Sequence, residues 1–458
     1  MSNHTPHPSS YRDPSGFIFE KDGSLYRQVN KVFKDDFDLF IASGCYENLV
    51  KKGWLIPHDR VIENFTGDKE WYTTLQPETI PFISYPYEWS FDVLKDAALL
   101  TLGILRTSLE SGMILKDASP YNIQWYKGKL IFIDSLSFEK YDETEPWIAY
   151  RQFCEHFLSP LLLSYYAKSS LQELLLAYSD GIPLQIASSL LPWKTRFSMH
   201  IYLHIHLHAK YSAKDPGPTT QKTVFSKKKL LNLVTSLELL IKKLNPGENK
   251  TTWSGYYDEA AGRGDYLAHK QLIISQWLDK VKPSTVADHG ANKGEFSKLA
   301  AAKNIPVIAC DFDAVCINGL YREIKRSGEK NILPLIMDIT RPSPAIGVNN
   351  KERASFMERT NTDMAFALAL IHHLVIGKNI PFDKIAVFFQ TVCRYLIIEF
   401  VPKEDEKVAY MLNQKKDIYP HYTEQYFETV FSNYFSIEAK EKISGSGRTI
   451  YLLKKNER

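Results

Sequence analysis

The sequence predicts an α/β protein in two parts: an α+β domain followed by a doubly wound, mainly parallel sheet of seven strands. Three observations carry this prediction. From residue 253 onward, short apolar runs alternate with helical stretches, the pattern of strands crossed over by helices. The chain then closes on two strand-like runs, Phe435–Ile443 and Thr449–Lys454, joined across Gly445-Ser-Gly447, which read as an antiparallel hairpin at the sheet edge. The first half instead carries a long amphipathic helix at Phe91–Gly112, short apolar runs and a Pro- and aromatic-rich connection at Pro81–Trp89.

Length and composition set the frame. At 458 residues, against roughly 100–200 per domain, the chain holds two or three domains. Hydrophobic residues make up 44% and charged residues 24%, which excludes a mainly disordered or fibrous chain. The 56 Lys and Arg against 53 Asp and Glu leave a formal charge of +3, so no nucleic-acid partner is expected. Five scattered cysteines, none in a C-x-x-C pair, give neither a disulfide framework nor a zinc site. The polar first residues lack the apolar core of a signal peptide, and no apolar run approaches the ~18 residues of a membrane span. A cytoplasmic protein is expected.

Breaks in the pattern divide the chain. Residues 1–15 read as a flexible tail, 16–211 as the N-terminal domain, 212–252 as a linker with a bridging helix, and 253–458 as the C-terminal domain. The linker opens with Pro, Gly and polar residues over 212–222. Ser226–Leu244 then has helical periodicity until Asn245-Pro246-Gly247 stops it.

In the C-terminal part, apolar runs at 285–287, 306–310, 332–337, 364–371 and 395–401 are the five parallel strands. The first runs into Asp288-His-Gly-Ala-Asn-Lys-Gly294, a turn that opens a helix. Gly290 lets backbone approach a ligand, Gly294 permits close helix packing, and Asn292 tolerates a left-handed conformation. Alone, this spacing fits a tight structural turn as well as a binding loop. The following strands add information. Asp311 ends the second strand, 23 positions after Asp288, where a carboxylate accepts both ribose hydroxyls of an adenosine cofactor. Asp338 ends the third, and the fourth runs into Ile371-His372-His373-Leu374.

This series resembles the class I S-adenosylmethionine-dependent methyltransferases over residues ~253–458, with a Rossmann-like sheet whose last strand is reversed. The resemblance implies S-adenosyl-L-methionine as cofactor, held by Asp288, Gly290, Asn292, Gly294, Asp311, Phe312, Asp338 and Ile339, with Asn292 departing from the usual second glycine. The dinucleotide spacing G-x-G-x-x-G is absent. Leu370–Leu374 lacks the Asn/Asp-Pro-Pro-aromatic element of DNA amino-methylases, which points to a small-molecule or metabolite acceptor, methylated on oxygen or nitrogen. His372 or His373 is either a general base or a packing residue; Glu399, at the end of the fifth strand, either orients substrate or pairs with Lys403. Trp253–Tyr257 either covers the pocket or packs in the core.

In the first half, Asp117 and Asn122 stand five apart, and Asp134 follows twelve later at a strand end. This spacing resembles the catalytic segment of protein kinase-like and aminoglycoside phosphotransferase-like folds. The resemblance implies Asp117 as base and Asn122 with Asp134 on Mg²⁺, using ATP, if this half is active. Lys116 precedes Asp117, no Gly-rich phosphate loop comes before it, and Lys51 or Lys52 is the nearest candidate for a nucleotide lysine. The alternative is a non-catalytic scaffold that recruits substrate. His200, His204 and His208 recur at four-residue spacing, which suits either a metal or polar helix packing, and packing is favoured because no cysteine or His-Glu-x-x-His accompanies them.

Overall fold

A computed structural model describes residues 4–212, 225–247, 265–413 and 416–457. The chain divides into two compact units, one made of Met1–Gly247 with Ala345–Arg353, the other of Glu248–Pro344 with Ala354–Arg458. Trp253–Tyr257 lies outside the described residues.

The first unit begins with an antiparallel sheet of five strands: β1 (Thr5–Pro6), β2 (Gly16–Lys21), β3 (Ser24–Asn30), β4 (His58–Val61) and β5 (Trp71–Pro77), in the order β1-β2-β3-β5-β4. The segment read from sequence as a tail thus contributes a strand, with Thr5 opposite Glu20 and Pro6 opposite Phe19. Gly16 is required at its position, since a Cβ there would stand 2.0 Å from the Gln28 carbonyl oxygen. Two helices, α1 (Lys34–Ala42) and α2 (Cys45–Lys51), connect β3 to β4, and Val29, Phe33, Phe37, Leu75 and Leu136 close a small core against the sheet.

The long amphipathic helix is α3 (Phe91–Glu110), with twelve of its twenty residues buried. It stops at Gly112, whose φ of +72° continues no helix. After it come β6 (Met113–Leu115), β7 (Ile123–Tyr126), β8 (Lys129–Phe132) and β9 (Phe138–Lys140); β6 pairs with β9, and β7 with β8. Lys127 and Gly128 both take positive φ, as a two-residue hairpin turn demands. The predicted second helix is α4 (Lys227–Lys243), which buries Leu230, Val234, Leu237, Leu240 and Ile241 and ties to α3 through Arg106–Glu238 at 3.2 Å. The Pro81–Trp89 connection is packed as expected: Tyr85, Tyr87 and Trp89 are buried, and the Glu88 carboxylate accepts from the Tyr85 backbone N–H at 2.9 Å.

The second unit is a seven-stranded sheet alternating with helices. In chain order its main elements are α5 (Tyr266–Val281), β10 (Val286–His289), α6 (Glu295–Ala301), β11 (Val307–Asp311), α7 (Ala314–Ser327), β12 (Ile332–Ile336), β13 (Thr362–Ala367), α8 (Phe382–Val392), β14 (Cys393–Phe400), α9 (Glu424–Phe431), β15 (Phe435–Lys442) and β16 (Thr449–Lys455). The order is β12-β11-β10-β13-β14-β16-β15, parallel except that β16 runs antiparallel to both β14 and β15. The closing hairpin is therefore not confined to the edge. Its second strand, Thr449–Leu453, is buried and enters between β14 and β15; only the charged β15 forms the rim. Strand order reverses between β10 and β13, the place where such sheets open a crevice beyond the strands' carboxyl ends.

Candidate functional site

A cleft opens at that crevice. Five of the residues expected to hold cofactor line it: Gly290, Asp311, Phe312, Asp338 and Ile339. The other three, Asp288, Asn292 and Gly294, build the turn rather than the wall.

The turn is fixed by its own chain. Gly290 and Ala291 both donate backbone N–H to the Cys310 carbonyl, at 2.8 and 3.0 Å. Asn292 takes φ +52°, as its residue type permits, and its N–H donates to Asp311 Oδ2 at 2.8 Å. Gly294 has φ +77°, and a Cβ there would meet Leu320 Cδ1 at 2.7 Å, so α6 and α7 approach closely only because it is glycine. Asp288 is buried and is not among the residues lining the cleft; Ser297 Oγ donates to its Oδ2 at 2.6 Å. Burial pushes its carboxyl up to about 6.

Asp311 stands at the cleft with its other oxygen accepting from the Asp313 N–H at 2.8 Å. Burial raises it to about 6 as well, against the pull of those backbone hydrogen bonds. Phe312, next to it, is 58% exposed and lines the same cleft. Across the cleft Asp338 accepts from Thr340 Oγ1 at 2.7 Å and Thr340 N–H at 2.9 Å. Burial pushes its carboxyl up, but the Thr340 bonds together with Lys378 and Arg341 prevail and hold it below the ordinary value.

Of the two histidines, His373 lines the cleft, whereas His372 is buried behind it with the rings 4.0 Å apart. Burial, then the charges of Arg448 and Lys407, push His373 down to about 4. It is a neutral imidazole at pH 7, the form that accepts a proton.

Glu399 does not face the rim. It is fully buried, and its carboxylate receives Lys270 Nζ at 2.6 Å, Tyr266 OH at 2.7 Å, Arg448 Nη1 at 3.1 Å and the Ala369 N–H at 2.8 Å. Burial raises its pKa, but Lys270 and Arg448 outweigh that and hold it at about 2. Its partner is not Lys403, which pairs with Asp417 at 2.8 Å. With every lone pair engaged, Glu399 holds structure: the bond to Ala369, which has φ +50°, pins the loop that carries Leu370 and His373 to the cleft. Lys270, Tyr266 and Arg448 are the residues that sequence reading missed here. Lys270 and Tyr266 share one face of α5 at four-residue spacing, the one local signal available.

In the first unit, Asp117, Asn122 and Asp134 do come together. Asn122 Nδ2 donates to Asp117 Oδ2 at 3.1 Å and reaches Ser137 Oγ at 3.5 Å, and Ser137 Oγ donates to Asp134 Oδ2 at 2.6 Å. Gln152 donates to Asp117 Oδ1 at 2.7 Å; burial and then the charge of Asp134 raise the Asp117 pKa. The unforeseen residue is Arg27 on β3, whose Nη1 lies 2.6 Å from Asp134 Oδ1, both side chains nearly buried. Lys52 is committed elsewhere, donating to Thr107 Oγ1 at 2.7 Å under the Trp54 ring.

The histidine series serves packing. Ser236 Oγ bridges His200 Nδ1 and His204 Nε2 at 2.7 and 2.8 Å, while Tyr150 OH meets His204 Nδ1 at 2.7 Å and stacks on His208. Among the described residues no group of three His, Cys, Asp or Glu is placed to hold a metal ion.

No protein-family model matches the chain. Among solved structures, the bifunctional kinase-methyltransferase WbdD aligns at 18% identity over 47% of this chain and 45% of that one, with a TM-score of 0.31. Magnesium protoporphyrin IX methyltransferase (ChlM) of Synechocystis PCC 6803, with bound SAH, aligns at 16% identity over 42% of this chain and 85% of that one, also at 0.31. The sequence itself is 32% identical over 461 residues to nodulation protein NoeA of Rhizobium meliloti (strain 1021), spanning 98% of this chain and 96% of the relative. At that identity over nearly the whole of both chains, the protein belongs to the family of nodulation protein NoeA.

Proposed function

We propose that the chain is a methyltransferase that takes its methyl group from S-adenosylmethionine and transfers it to a small-molecule or metabolite oxygen or nitrogen. The observation that carries this reading is the placement of Gly290, Asp311, Phe312, Asp338 and Ile339 around one cleft at the reversal of strand order. The residues fit the cofactor's chemistry. Asp311 is a carboxylate suited to two vicinal hydroxyls, Phe312 offers a ring face to a base, and Asp338 accepts from an exocyclic amine. The bound sulfonium supplies an activated methyl group for in-line displacement. What the chain adds is alignment of donor and acceptor, and at His373 a neutral nitrogen able to take a proton from the acceptor.

Isothermal titration of the full chain with S-adenosylhomocysteine tests the reading. Stoichiometric binding that Asp311→Ala weakens supports it; absence of binding by the wild type overturns it.

The first unit reads as an acceptor-recruiting scaffold, and the Arg27–Asp134 bond favours this over phosphotransfer. Mg²⁺ does not fit as arranged. Asp134 already matches its charge with Arg27, and its oxygens receive Arg27, the Leu136 N–H at 2.9 Å and Ser137 Oγ.

A further inference from the structure

The first unit carries a cationic and apolar projection unrelated to either carboxylate cluster. Trp193, Phe197 and Met199 are 71%, 73% and 73% exposed, and Leu190 just before them is 61% exposed. Three large side chains so exposed within seven residues put on the order of 400 Å² of apolar surface into solvent, in the range that marks a binding face. The Trp193 and Phe197 rings pack edge to face with centroids 4.7 Å apart, so they form one feature.

The turn that presents them is rigid. Thr195 is fully buried; its hydroxyl donates to the Pro192 carbonyl at 2.6 Å and meets His206 Nε2 at 2.9 Å. The other nitrogen of His206 meets Ser188 Oγ at 2.8 Å. One buried imidazole thus fastens the preceding helix (Leu184–Leu190) and the Trp193–Phe197 turn, and the rings are held outward by the core beneath them.

Charge decides the occupant. Lys194 and Arg196 alternate with the rings, neither makes an ion pair among the described residues, and the sequence has no Asp or Glu from Gly181 to Lys214. Two copies of so one-sided a surface would repel. Bulky apolar side chains interleaved with cations, over a stretch without acids, are instead what an anionic lipid surface receives: rings at the acyl boundary, cations at the phosphates. No helix among the described residues is long and apolar enough to cross a membrane, so this contact lies on the bilayer.

We propose that the Trp193–Met199 projection docks the protein on an anionic membrane surface. Co-sedimentation of the full chain with phosphatidylcholine vesicles, with and without 30% phosphatidylglycerol, tests it. Partitioning is expected to rise about tenfold with phosphatidylglycerol and to fall with added salt. The double variant Trp193→Ser, Phe197→Ser should lose at least tenfold, and Lys194→Gln, Arg196→Gln should lose the salt dependence. All four side chains are largely exposed, so melting temperatures should stay at the wild-type value. No binding to phosphatidylglycerol vesicles, or binding that the double variants leave unchanged, overturns the proposal. So does sedimentation velocity showing a wild-type dimer that Trp193→Ser, Phe197→Ser dissociates, which would make the projection a contact between copies.

Discussion

The two units each gather aspartates at strand ends, yet they treat them in opposite ways. In the first, Asp117 and Asp134 are answered by side chains of the chain itself: Gln152, Asn122, Ser137 and the guanidinium of Arg27. In the second, Asp311 receives backbone N–H groups, and among the described residues no cation bonds it; Asp338 receives Thr340 and, at 3.4 Å, Arg341, and both aspartates line an open cleft. A carboxylate satisfied by its own cation has little left to offer a ligand. One held in place by backbone and left short of positive charge does. Glu399 shows the first treatment inside the second unit, so the contrast is one of local chemistry rather than of domain.

The largest expected effect tests the closed type. Glu399→Ala leaves Lys270 and Arg448 buried without their shared anion, and breaking a buried pair costs about 3–5 kcal/mol. Urea unfolding of the variant should show that loss; a stability within 1 kcal/mol of wild type would mean the network contributes no more than a surface pair.

Next comes the open type. On the proposed function, Asp311→Ala removes a charged acceptor for the cofactor's hydroxyls, worth about 1.5–3 kcal/mol, so S-adenosylhomocysteine affinity should fall roughly 10–150-fold. Asp288→Ala, which removes a carboxylate bonded to Ser297 and not lining the cleft, should weaken binding less. Equal losses would erase the distinction between wall and turn.

A third effect follows from protonation. Asp311 has a folded pKa of about 6, above its unfolded value near 3.9, so the native state binds the proton more tightly. Its ionisation therefore costs stability as pH rises through 4–6, and the full cost is present above pH 6. Asp311→Asn lacks that cost, so relative to wild type the variant should gain on the order of 1–3 kcal/mol between pH 4 and 7. Denaturation at both pH values reads the difference directly; a variant whose relative stability is flat with pH would show that Asp311 ionises as freely when folded as when unfolded.

What was legible in the sequence follows the same division. The strands and their terminal acids could be read because each is a local signal, an apolar run ending in a carboxylate. The left-handed Asn292 and the close packing at Gly294 were legible for the same reason: residue type alone limits the backbone there. The direction of a carboxylate was not. Asp288 and Asp311 look alike in sequence, and only the tertiary position of Ser297 and the Asn292 N–H separates them. Nor were partners far along the chain: Lys270 and Arg448 lie 129 and 49 positions from Glu399, and nothing local pairs them. The inward place of β16 did have a signal, since Thr449–Leu453 is apolar without alternation while β15 alternates with charge.

The smallest expected effect is the sharpest probe of the contrast, because a null result is the prediction. With Asp134 neutralised by Arg27, millimolar Mg²⁺ should leave the melting temperature of the wild type unchanged, with ATP or without it. Arg27→Ala removes the internal cation and leaves a nearly buried carboxylate beside Asn122 and near Asp117, so the variant should be stabilised by Mg²⁺ or Mn²⁺, and Asp134→Ala in the same background should abolish the gain. A wild type that is already stabilised by the metal would show that Mg²⁺ competes with Arg27 for Asp134. The first unit would then belong with the open cleft of the second, as a place that waits for a ligand.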